Sequence, residues 1–69
     1  MRKLTYDLAP ARQGEKDNNL SRMERWERAQ GMKLRDLTEE EWVDVMKHIL
    51  PLTEQEVREY LSHLRARNA

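Results

Sequence analysis

Apolar residues are sparse along this chain, and their spacing changes with position. After residue 38 they fall at helical intervals: Trp42, Val45, Met46, Ile49 and Leu50 share one face, which Val43 widens. Beyond Pro51 the same spacing resumes with Val57, Tyr60, Leu61 and Leu64. Upstream, Leu20, Met23, Trp26 and Ala29 recur at every third position, a narrower stripe that drifts around its helix. Nearer the start, Leu4, Tyr6 and Leu8 alternate at period two, the pattern of a short strand.

Each helical stretch opens on a version of L-[ST]-x-x-E: "LSRMERW" at 20–26, "LTEEEWV" at 37–43 and "LTEQEVR" at 52–58. In a capping box the Ser or Thr side chain accepts from the N3 backbone N–H, while the N3 glutamate reaches back to the cap. Thr38 with Glu41 and Thr53 with Glu56 fit this chemistry. Leu37 with Trp42 and Leu52 with Val57 add a hydrophobic staple to each. Ser21 with Glu24 is a third box without a staple, since Arg25 stands at N4; Asn18 or Asn19 is the alternative cap. Gly31 supplies a stop for the first helix, and Pro51 disfavours helical geometry at Leu50, ending the second.

The predicted fold is all-α, with helices over about 21–30, 39–50 and 54–67. The short connection through Pro51, Leu52 and Thr53 predicts that the second and third helices form a bent pair or hairpin, with the first lying across them. Residues 18–69 form the small helical domain, and residues 1–17 an extended or disordered arm. Within the arm "AP" and "QG" interrupt any regular structure, and "EKDNN" is polar linker. A lone strand at "LTYDL" has no mate in the chain, so it pairs in a dimer, adds to another protein's sheet, or stays disordered.

Composition adds a physical difficulty. Only 38% of 69 residues are hydrophobic and 38% are charged, so the core of so short a chain is thin. Small scaffolds usually need a staple. Cysteine is absent, which excludes disulfides and thiolate metal sites. His48 and His63, fifteen residues apart on different predicted helices, match no zinc spacing, so neither metal nor cofactor is expected. Association remains, and a homodimer is the expectation. There is no apolar run of membrane-spanning length and no signal-peptide core, so the chain reads as cytoplasmic and intact from Met1.

Thirteen basic and thirteen acidic residues balance to zero. Residues 1–16 carry +2, residues 17–37 carry +1 and residues 38–69 carry −3, so no segment has the field that phosphate binding relies on. Read as a helix-turn-helix, the last two helices would present Glu54 and Glu56 where base edges are met. "RKLTYDL", with Lys3, Thr5 and Asp7 on one face, is similar to the arm of ribbon–helix–helix repressors. It departs from them in the long linker that follows and in Asp7, which is unhelpful at a DNA surface. A small dimeric DNA-binding transcriptional regulator is therefore the alternative reading, and nucleic acid is not the expected partner. A membrane-surface role for the first helix gains little, since acids offset its basic groups.

Catalysis is not expected. Most glutamates sit in first turns, where the helix dipole accounts for them; both histidines fall at polar helix positions; and two glycines make no phosphate loop. What stands out is Trp26 with Arg22, Arg25 and Arg28, interleaved with Glu24 and Glu27. Trp and Arg dominate interface hot spots, so this ridge, with Tyr6 of the arm and Met32 of the following loop, is the candidate partner-binding site. The plainer account is a solvated face with a Glu24–Arg28 pair and Trp26 in the core. The expected function is a non-enzymatic protein–protein interaction module, a homodimer that binds and inhibits or modulates a larger protein. The chain carries no family motif. In general type, tiny and charge-rich, it is similar to small regulators carried by phages and mobile elements.

Overall fold

The two capping boxes at Thr38 and Thr53 place the helices that build the body. In this computed structural model, which describes residues 3–68, Thr38 Oγ1 accepts from Glu41 N at 3.2 Å, and Glu41 Oε1 accepts from Thr38 N at 2.9 Å. Thr53 and Glu56 repeat the arrangement at the same distances. The helices that follow are α2, Glu39–Ile49, and α3, Glu54–Asn68. Leu50 is extended (φ −112°, ψ 150°), as the proline after it demands, and α2 ends there.

The first helix, α1, spans Asn19–Gln30 and begins earlier than the Ser21 box predicts. Asn18 is the cap, its side chain accepting from Ser21 N at 2.8 Å. Ser21 is instead a buried residue of the first turn, and its hydroxyl has no hydrogen-bond partner. Local geometry decides this: a cap at Asn18 satisfies the N3 donor equally well, and the helix gains residues. At the other end Gly31 adopts the left-handed conformation (φ 72°, ψ 28°) and donates to Glu27 O at 2.8 Å. A 3₁₀ turn over Leu34–Asp36 links α1 to α2, fixed by Leu34 N donating to Glu27 Oε2 at 2.8 Å.

α2 is the centre, with α1 and α3 each packed against it. It buries Trp42, Val43, Val45, Met46 and Ile49, and the core is completed by Trp26, Leu34, Leu50 and Val57. The predicted α2 face is thus the buried one. On α3 the predicted face divides: Val57 is buried, Leu61 and Leu64 are half-buried, and Tyr60 lies exposed, its ring stacked 6.1 Å from that of Trp42.

The described residues contain three α-helices and no strand. The strand suggested by "LTYDL" is therefore corrected. That segment has no regular secondary structure, and the groups flanking it are helix side chains that offer no neighbouring backbone ladder. Nor does it lie apart from the body, since Leu4 and Leu8 pack against the core. Residues 1 and 2 of the expected arm lie outside the described residues.

Candidate interaction surfaces

The exposed ridge expected on α1 is covered by the chain's own arm. Trp26 is fully buried, and its indole Nε1 donates to Thr5 O at 2.7 Å. Sequence spacing placed Trp26 on a narrow stripe of a polar helix; Trp26 joins the core with its indole bonded to the arm, as the plainer account had it, while Leu20 and Ala29 of the same stripe stay exposed. As an exposed contact in this arrangement, Trp26 is a correction.

The three arginines also face inward on their own chain. Arg22 pairs with Asp17 at 3.2 Å and reaches Ile49 O, near the end of α2, at 3.4 Å. Arg25 Nε donates to Ala9 O at 2.7 Å, and Ala9 N donates back to Arg25 O at 3.1 Å. Arg28 pairs with Glu15 at 3.1 Å, and also donates to Pro10 O at 3.3 Å. The i,i+4 partner expected for Arg28, Glu24, is passed over for Glu15, because the linker bends back at Gly14 (φ 82°) and brings Glu15 onto α1. These bonds leave their mark on the acids. Hydrogen bonding from Arg28 holds the Glu15 carboxyl below the usual range, as Arg22 does for Asp17.

Tyr6 lands on α2 rather than on α1. Its ring stacks on His48 with centroids 3.8 Å apart and planes 7° from parallel, and its hydroxyl donates to Asp44. That bond raises the phenol above its usual value, since the neutral form is the donor. His48 in turn faces Asp44, with Nδ1 2.7 Å from the Asp44 carbonyl oxygen. Met32 is half-buried against the core, and it borders a polar cleft of about 640 Å³ beside Arg12, Glu24 and Arg28.

A less polar opening lies elsewhere. Between the 3₁₀ turn, the start of α2 and the second half of α3 lies a groove of about 470 Å³, floored by Leu34, Leu37, Trp42, Leu61 and Leu64. Arg65 closes one end of it through a 3.0 Å ion pair with Glu39, and Arg35 stands on the rim. Of these residues the sequence shows Leu37 as a staple and Leu61 and Leu64 on a helix face, and it gives no sign of Leu34. What it lacked was the tertiary placement that brings the 3₁₀ turn, the start of α2 and the second half of α3 together.

Among the described residues no group of three or more His, Asp or Glu is placed to hold a metal ion. Among the described residues no helix is long and apolar enough to cross a membrane. Comparison with family models, with curated proteins and with solved structures gives no match for this chain.

Proposed function

We propose that this protein is a non-enzymatic protein–protein interaction module of the cytoplasm, homodimeric, which modulates a larger protein by occupying part of its surface. The observation that carries this reading is the open leucine groove between α2 and α3. On a chain with so little apolar material, the half-buried Leu37, Leu61 and Leu64 beside the buried Trp42 are a poor use of the core unless something covers them. Arginines flank the groove at Arg35 and Arg65, the combination of apolar floor and planar cation that interfaces favour. The exposed acids Glu54 and Glu56, by contrast, open α3 where a nucleic-acid reader would meet phosphate, and they weigh against a DNA-binding role.

Sedimentation equilibrium over a wide concentration range tests the self-association half of this reading. The native chain is expected as a dimer, and Leu64→Glu as a monomer of unchanged helicity by circular dichroism. A native chain that stays monomeric up to high concentration removes the homodimer.

A further inference from the structure

The hydrogen bonds between α1 and the arm have an unusual bias: α1 reads the arm's main chain. Trp26 Nε1 bonds Thr5 O, Arg25 Nε bonds Ala9 O, Arg28 bonds Pro10 O and Gln30 Nε2 bonds Lys3 O, while Ala9 N returns a bond to Arg25 O. These contacts follow a segment without helix or strand, from Lys3 beside Gln30 at the end of α1 to Ala9 beside Arg25. None of them requires a particular side chain on the arm. Among the arm's own side chains Leu4, Tyr6 and Leu8 engage at period two, and Thr5 Oγ1 also donates to Gln30 Oε1 at 2.9 Å. Leu4 and Leu8 pack at the edge of the core, and between them Tyr6 lies on His48 and donates to Asp44.

We infer that the α1 face beneath the arm is a receptor for an extended peptide segment of a partner protein, which residues 4–9 occupy as an internal stand-in. The inference rests on the protein-binding reading above and names its ligand: an extended segment with apolar residues two either side of a hydrogen-bonding aromatic. Main-chain bonds supply the general affinity and the alternating side chains the selectivity, the division of labour found in other extended-peptide receptors. Trp26 and the arginines then belong to the binding face after all, reached by exchange of one extended segment for another.

Displacement is physically accessible. The arm has no helix or strand of its own, and a linker containing Pro10 and Gly14 joins it to α1. The ion pair of Asp17 with Arg22 is solvent-facing, with the Asp17 side chain 62% exposed, so it adds little to holding the linker; the Glu15–Arg28 pair, with Glu15 16% exposed, holds the linker on α1 and leaves residues 3–10 beyond it to exchange. Against this stands tethering. A short flexible tether presents its segment at an effective concentration on the order of millimolar, so a free peptide binds only in proportion to the fraction of chains with the arm lifted. Loosening the arm must therefore tighten peptide binding, the reverse of what loss of an ordinary contact residue does.

The test uses a fluorescein-labelled peptide of residues 3–11, KLTYDLAPA, titrated by anisotropy against three forms of the full chain. Tyr6→Ala, which loosens the arm, is expected to bind it about tenfold more tightly than the native chain. In the third form, Thr5→Cys and Gln30→Cys are joined by a reducible bis-thiol crosslinker. The chain has no other cysteine, and the two native side chains are 2.9 Å apart. The locked form is expected to bind no peptide, and reduction to restore binding. Absence of binding to the Tyr6→Ala chain at about 1 mM peptide overturns the inference. So does equal binding to locked and reduced chains, which places the peptide on another surface such as the α2–α3 groove. If Tyr6→Ala does not fold, the locked-versus-reduced comparison decides alone. Neither result touches the sedimentation test, so the receptor and the dimer stand or fall separately.

Discussion

Trp26 Nε1 donates to the carbonyl of Thr5 at 2.7 Å, so the largest fully buried side chain is tied to the one stretch of the chain that precedes every helix. The consequence is that the docked arm completes the core. Leu4 and Leu8 pack where α1 alone would leave an edge open, and the indole N–H, which must be satisfied when buried, finds its acceptor on the arm.

Replacement of Trp26 separates the two contributions. Trp26→Phe keeps most of the packing but strands the Thr5 carbonyl, and is expected to cost about 1–2 kcal/mol. Trp26→Ala leaves a large cavity and is expected to cost about 3–5 kcal/mol. Urea unfolding followed by circular dichroism measures both, and equal small losses would show that the indole is not buried as described.

Ser21 offers the opposite effect. Its hydroxyl is buried in the first turn of α1 without a partner. Ser21→Ala removes that unmet group and raises helix propensity, so it is expected to stabilise the protein by about 0.5–1 kcal/mol. Thermal melting of the variant beside the native chain checks the sign. A loss of stability would mean that the hydroxyl is bonded in solution.

The two capping boxes should respond alike in kind. Thr38→Ala and Thr53→Ala each free the N–H at N3, of Glu41 and Glu56, and each is expected to cost about 1 kcal/mol. Serine at either position should restore most of the loss. Chemical denaturation of the four variants measures it, and an alanine that costs nothing would mean that water replaces the cap.

Acid should weaken the fold through four carboxylates. Arg28 lowers Glu15, Arg22 lowers Asp17, Lys47 lowers Glu54, and the Thr53 backbone N–H lowers Glu56. In each case the folded state holds its proton less tightly than the unfolded chain. The stabilisation is therefore complete above the ordinary carboxylate range and is lost as pH falls through the lowered values. Melting temperature is expected to fall steadily from about pH 5 downward. Glu15→Gln should flatten that slope, and an unchanged slope would show that the Glu15–Arg28 pair is not formed.

How far the chain could be read in advance depends on the range of the interaction. Two of three helix starts, both helix stops and the buried face of α2 are set within a few residues: a cap and its N3 glutamate, a glycine that tolerates positive φ, a proline that forbids helix before it, and apolar spacing. Sequence alone determined these because local sterics and hydrogen bonding decide them. The Ser21 start failed within the same local logic, since Asn18 was an equally capable cap. What only the tertiary structure decided is where the arm goes and which apolar face stays open. Trp26 meets Thr5, Arg28 meets Glu15 and Tyr6 meets His48 across separations that no periodicity encodes. The groove at Leu61 and Leu64 exists because packing sets the second half of α3 beside the 3₁₀ turn and the start of α2, which no residue's own preference encodes.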